Sequence, residues 1–194
     1  MFIQANDQHH KEEFMKVWST IATERKYPIM DLADNSEAFL LQTKEGSNVG
    51  TIEFVPCKLE AVDETADYID ISREPRVTDN LSQAYQVRKM GVIKEFGSKK
   101  VLIDLLKLAA THAKNNQVRY YVSYLEKRHF EILTDKYKFR IERMGEIVKF
   151  HKRPCVPVLI DVEDAINNTQ GYPIHIKSIA YVVRGTKKVK SLFV

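Results

Sequence analysis

The stretch GVIKEFGSKKVLIDLLKLAATHAKNN, Gly91 to Asn116, ends a β-branched strand, breaks at Gly97 and Ser98, and resumes as a helix that opens with Lys99 and Lys100. Gly97 permits a sharp turn and Ser98 is a good N-cap, so the helix begins there. Cations in a first turn oppose the helix dipole, at a cost of about 0.3 to 1 kcal/mol each when exposed. An anion on the free backbone N–H groups reverses that sign. One reading is a phosphate site built from the amides of residues 97 to 101 with two lysines beside it; the other is local neutralisation of the lysines by Glu95 and Asp104. A nucleotide-hydrolase loop, G-x-x-x-x-G-K-[ST], fails on spacing, because five residues separate Gly91 from Gly97 and Ser98 follows. The dinucleotide fingerprint G-x-G-x-x-G is absent too.

Groups able to move a proton lie on neighbouring strands. In VGTIEFV, Ile52 and Phe54 face one way and Thr51 and Glu53 the other. Glu53 is the first candidate base: in a sheet covered on both faces it is a desolvated carboxylate with a raised pKa, whereas on an edge it is an ordinary solvent-facing glutamate. Tyr85 and Tyr121 are weaker candidates, since a tyrosine on a sheet is more often core or rim. His151 follows a strand and could titrate near neutrality, or could simply serve a turn. Gly91 would tolerate a β-bulge that frees N–H groups near Met90 to Val92, or gives clearance for packing. His9 and His10 adjoin on a polar helix start, the other histidines are scattered, and Cys57 and Cys155 lie 98 positions apart, so no metal site is predicted.

A chain of 194 residues, 44% hydrophobic and 29% charged, fits one large globular domain or a domain with an appendage. No apolar run approaches the ~20 residues that span a bilayer, and the N-terminus lacks a secretory pattern, so a cytoplasmic protein without membrane contact is the simplest expectation. The net charge of +4 is uneven: residues 165 to 194 hold five basic and no acidic side chains. That tail, with VVRGTKKVKSLFV, is expected to form a strand or hairpin, and nucleic-acid binding is the less favoured reading. Domain bounds are placed at 1–168, with 169–194 as a basic extension.

The remaining elements must position these groups. Residues 7 to 25 read as an amphipathic helix with Phe14, Val17, Trp18, Ile21 and Ala22 on one stripe. AFLLQTK and VGTIEFV flank the turn EGSN as an antiparallel pair. Residues 56 to 84, with seven acidic and three basic side chains, hold a short helix or a mobile lid. YQVRKMGVI is a third strand and residues 99 to 115 the strongest helix, its polar face at Lys100, Asp104, Lys107, Thr111 and Lys114. VRYYVSY, a helix EKRHFEILTDKY, then FRIERMGEIVKF as one long strand or a hairpin around Gly145 follow. Pro154 and Pro157 bracket a turn before a last strand VPVLIDV and a short helix EDAINN. The order indicates an α/β fold: a mixed central sheet with helices on both faces and a central crossover.

Val92 to Leu106, VIKEFGSKKVLIDLL, resembles the strand, phosphate loop and helix of the GCN5-related N-acetyltransferase (GNAT) superfamily, V-x-P-E-Y-R-G-x-G-I-G-x-x-L-L. Glu95, Phe96, Val101, Leu105 and Leu106 match; Gly97 occupies the arginine slot, and Ser98, Lys100 and Leu102 the small or glycine slots. Leu125 to Ile166, with the turn His151-Lys152-Arg153-Pro154, looks like the acyl-homoserine-lactone synthase and N-acyl amino acid synthase branch. That branch carries a glutamate on its fourth strand where this sequence has Gln86, and the superfamily's acid tyrosine slot holds Thr134.

The resemblance implies a GNAT-like fold and transfer of an acyl group from acetyl-CoA, a longer acyl-CoA or an acyl carrier protein to a small-molecule amine. It implies donor contacts at Met90, Val92, Gly97, Ser98, Lys99, Lys100, Val101 and Leu102, with Glu53, Tyr85 and Gly91 as catalytic candidates and a homodimer as one assembly. The missing glycines leave a second class open, a catalytically degenerate GNAT-like ligand sensor or interaction module.

Overall fold

The computed structural model describes residues 1–59, 69–150 and 153–167, the side chains of Lys99, Leu102 and Phe150 excepted. Among them, eight strands form one sheet: β1 (Phe2–Gln4), β2 (Glu37–Gln42), β3 (Asn48–Pro56), β4 (Ala84–Val92), β5 (Tyr120–Glu126), β6 (Glu142–Arg143), β7 (Val148–Phe150) and β8 (Arg153–Asp161). Their order is β1-β2-β3-β4-β5-β8-β6, with β7 also paired to β8. The helices are α1 (Gln8–Arg25), α2 (Pro75–Thr78), α3 (Lys99–Asn115), α4 (Lys127–Glu131) and α5 (Val162–Asn167), and α4 runs on into a π-helical turn, Ile132–Lys136.

The two long helices cover opposite faces of the sheet. Asp7 caps α1 by accepting from the His10 N–H at 2.8 Å, and the expected stripe, Phe14 to Ala22, packs on Ala38 and Leu40. Helix α3 spans the residues its periodicity predicts and packs Leu105, Leu108 and Ala113 on Ile52, Phe54 and Tyr121. Strand β3 is consequently buried on both faces, from Val49 to Val55. The crossover β4-α3-β5 joins a parallel pair, and every other pairing is antiparallel. Residues 56 to 84 contribute core rather than a free lid where they are described: Ile69, Ile71 and Val77 pack on Ala84, Tyr120, Val122 and Leu159.

Two expectations require correction, and one strand has no counterpart in the sequence reading. Strand β1 has no periodic signal and exists because it pairs with β2, Phe2 opposite Leu41. FRIERMGEIVKF is neither one strand nor a hairpin on itself, because β6 and β7 both pair with β8. Pro154 and Pro157 lie inside β8 instead of bracketing a turn. The Pro157 carbonyl accepts the Met144 N–H at 2.8 Å, so its missing N–H points to the irregular stretch between β6 and β7, where the ladder is already interrupted. The basic extension 169–194, His151 and Lys152 lie outside the described residues.

Candidate active site

Strands β3 and β4 pair in step from Pro56↔Tyr85 to Glu53↔Arg88, and then Thr51 stands opposite Gly91. Two steps on β3 therefore match three on β4, which is a β-bulge at Lys89 and Met90. Lys89 takes φ 45, an uncommon conformation for a side chain with a Cβ. It is held from several directions. Its carbonyl accepts from the Thr51 hydroxyl at 2.7 Å, and its ammonium donates to Glu53 Oε2 at 2.7 Å and to the Asp31 carbonyl at 2.8 Å. Glu53 also accepts from the Ala33 N–H at 2.7 Å and lies 3.6 Å from Arg88 Nε.

Glu53 thus sits in the central, doubly covered strand, as the alternation suggests, and it is fully buried. Its oxygens are occupied by cations and an amide, and it is absent from the wall of the cavity described below. The arrangement makes it the anchor of the bulge. The backbone strain of that bulge falls on Lys89 and not on Gly91. A Cβ at Gly91 would stand 2.8 Å from Ile21 Cγ2, so this glycine gives α1 clearance to reach the sheet.

Beside the bulge the sheet opens. Strands β4 and β5 pair at Ala84↔Tyr120, Tyr85↔Tyr121 and Gln86↔Val122. The Ser123 hydroxyl still donates to the Val87 carbonyl at 3.0 Å, and past it the strands diverge around a cavity of about 760 Å³. One wall is β4 from Gln86 to Val92, followed by Lys94, Gly97 and Ser98. The opposite region is apolar, with Leu105, Leu106 and Ala109 of α3, Leu133, Phe139 and Ile160. A pocket of this size with few polar groups at one end suits a ligand that is charged at its head and apolar at its tail.

At the elbow, a 3-10 turn, Lys94–Phe96, leads into Ser98, whose hydroxyl accepts from the Val101 N–H at 3.3 Å. Glu24 accepts from the Lys94 N–H at 2.9 Å and ties this turn to the end of α1. Asp104 pairs with Lys107 at 3.6 Å. Of the donor contacts expected from sequence, Met90, Val92, Gly97 and Ser98 reach the cavity, whereas Lys100 and Val101 lie on α3 outside its wall. The Lys99 and Leu102 side chains lie outside the described residues. Tyr85 is not on the wall either; its ring stands edge-on to His112 at 5.1 Å on the α3 side. Tyr121 does line the cavity, and its hydroxyl donates to the Ala109 carbonyl at 3.0 Å. Burial raises its pKa, so the phenol stays protonated at neutral pH.

A second cluster at the cavity, which Tyr27 and Glu126 line, escapes sequence reasoning. The Tyr27 hydroxyl donates to Glu126 Oε1, and Arg153 Nη1 donates to the same oxygen at 2.5 Å. The Arg153 guanidinium lies over the Tyr27 ring, 5.3 Å from its centroid, and Trp18 stacks on that ring at 6.4 Å. Burial alone would raise the Glu126 pKa, but the bonds from Tyr27 and Arg153 outweigh it and hold the carboxyl below its ordinary value. The pair Tyr27 and Glu126 is 99 positions apart in sequence. Only the end of β5, where Glu126 follows an apolar run, marks the place.

The chain superposes on solved structures, among them TofI in an apo form, at 13% identity over 91% of this chain and 99% of that one, TM-score 0.62. FeeM, an N-acyl amino acid synthase from uncultured soil microbes, is 11% identical over 86% and 93%, TM-score 0.62. BjaI, a CoA-dependent acyl-homoserine lactone synthase determined with SAM and isopentyl-CoA, is 10% identical over 97% and 90%, TM-score 0.61. The chain has the GNAT-like acyltransferase fold. No family model and no curated protein matches the sequence.

Proposed function

We propose that the protein is an N-acyltransferase, moving an acyl group from an acyl-coenzyme A or acyl-carrier-protein thioester to an amine. The observation that carries this reading is the divergence of β4 and β5 into one cavity, which runs from the α3 elbow past a bulge to an apolar wall. The donor's phosphates lie against Gly97 and Ser98, with Lys94 of the same wall supplying charge. Pantetheine pairs with β4 as an added strand, a backbone contact indifferent to side chains. Met90 and Val92 flank it. In this reading the backbone N–H of Met90, a residue outside the β3–β4 register pairs, polarises the thioester carbonyl. The acyl chain then enters the apolar end. Likeness to FeeM and BjaI supports the same donor chemistry.

The alternative reading, a ligand sensor on the same fold, is favoured by Gly97, Ser98 and Lys100 at the arginine and glycine slots of the superfamily loop. One assay separates the two. Purified protein is mixed with acyl-CoA donors of increasing chain length and a panel of amines, and thiol release is followed. Amine-dependent release supports transfer; donor binding by calorimetry with no release by any amine assigns the sensor instead.

A further inference from the structure

Under the transferase reading the acceptor arrives as an ammonium ion and needs a base on the cavity wall. That base must be unprotonated near neutrality and must have a lone pair that the fold has not already used. The carboxylates on the wall keep spare lone pairs but are tied into the fold's own contacts. Glu24 holds the Lys94 N–H, and Glu126 is bound by Tyr27 and Arg153. Glu53 is off the wall and wrapped by Lys89, Arg88 and Ala33. Tyr27 and Tyr121 have pKa values pushed upward by burial and remain protonated.

One wall group is tied to no such contact. His129 is the third residue of α4, three positions beyond Glu126, and it lines the cavity. Among the described residues nothing hydrogen-bonds to its ring. Partial burial lowers its pKa from 6.5; Glu126 opposes this, and Arg25, Arg128 and Arg153 lower it further. These groups come from α1, α4, β5 and β8, so the imidazole stands within a cationic surround relieved by one carboxylate. Such a surround keeps the ring neutral at rest and drives off a proton once taken.

We infer that His129 is the base that deprotonates the acceptor amine, with the Tyr27–Glu126–Arg153 clasp positioning the ring's surroundings. This rests on the transferase reading. The proton count closes: of the three protons on the ammonium, one passes to His129 and on to solvent. The neutral nitrogen attacks the thioester carbonyl, the C–N bond forms, and the C–S bond breaks with its electron pair leaving on sulfur. The second proton goes to that thiolate, and the third stays as the amide N–H.

The test compares wild type with His129→Gln in the thiol-release assay across pH 5 to 9. Wild-type kcat/KM for an alkylamine falls on an acid limb below about pH 6.5, and the variant loses that limb and about 100-fold of rate at neutral pH. Donor affinity by calorimetry is unchanged. With hydroxylamine, already a free base at neutral pH, the variant recovers to within a few-fold of wild type. A variant that keeps the alkylamine rate and the acid limb overturns the assignment of His129 alone. A variant equally impaired with hydroxylamine also overturns it, as the defect is then not proton removal. Failure of the wild type to release thiol with any amine overturns the transferase reading and the base with it.

Discussion

Glu53 holds a charge that water does not reach, and its value to the molecule lies in what it keeps in place. Replacing it by Gln removes a buried counter-charge from the Lys89 ammonium and the Arg88 guanidinium. Breaking a buried pair in this way costs about 3 to 5 kcal/mol. Glu53→Gln is therefore expected to lower the urea midpoint by that equivalent, and a loss under 1 kcal/mol would show that Lys89 finds another partner. His112 supplies a residue-scale pH effect. It is buried against Phe54 at 3.8 Å, with Nδ1 2.7 Å from the Tyr121 hydroxyl and Nε2 3.4 Å from Glu37. Burial lowers its pKa from 6.5, against the pull of Glu37. Between the folded value and 6.5 the unfolded chain binds more protons than the native one, so this contribution to stability is complete above pH 6.5 and declines as pH falls. The slope is at most about 1.4 kcal/mol per pH unit. Urea titrations from pH 7.5 to 5 should show the decline, and His112→Gln should flatten it. At this scale the sequence is partly readable: alternation in VGTIEFV identifies Glu53 as sharing a face with Thr51, away from Ile52 and Phe54. It says nothing of a lysine at positive φ, because that conformation is imposed by Thr51, Asp31 and Glu53 together.

Helix α1 meets the sheet where Gly91 leaves room for Ile21, and this contact can be tested as a packing problem. Gly91→Ala places a methyl 2.8 Å from Ile21 Cγ2. Overpacking of this kind costs about 1 to 3 kcal/mol. In a double-mutant cycle, Ile21→Ala should recover part of the loss, and strictly additive effects would mean that the crowding lies elsewhere. Element boundaries were readable where local signals were sufficient. Ser98 and the apolar spacing after it define α3 from end to end, and Asp7 with its stripe defines α1. Residues 139 to 150 were not readable, since their conformation depends on the edge of β8, a strand that appears only later in the chain. The cavity wall was half visible for the same reason. Met90, Val92, Gly97 and Ser98 lie in one continuous stretch that a motif can mark, whereas Tyr27, Glu126 and His129 meet only after α1 and β5 have docked.

For the molecule as a whole, the transferase reading makes the cavity the element that sets the length of the acyl donor. Its apolar end is lined by alanines as well as large residues, and Ala109 faces it from α3. Filling that space with Ala109→Phe is expected to shift donor preference toward shorter acyl chains. Each excluded methylene forfeits about 0.8 kcal/mol, close to fourfold in kcat/KM. A parallel series of acyl-CoA lengths on wild type and variant measures this, and equal loss for all lengths would place the acyl chain elsewhere.

The short parallel seam between β4 and β5 has a further mechanical consequence. On its two sides stand ribbons that are antiparallel throughout, β1 to β4 and β5 to β8, while the seam itself joins strands 36 positions apart through three register pairs among the described residues. Strands β3 and β4, and β5 and β8, close loops about as long as the seam's, so what sets the seam apart is its shortness: three register pairs against six for β3–β4 and seven for β5–β8. The seam should accordingly open before either ribbon, and amide hydrogens of Tyr120 to Val122 should exchange sooner than those of Ile52 to Val55. Pulled from its two flanks, the molecule would tear along that stitch before either ribbon unravelled.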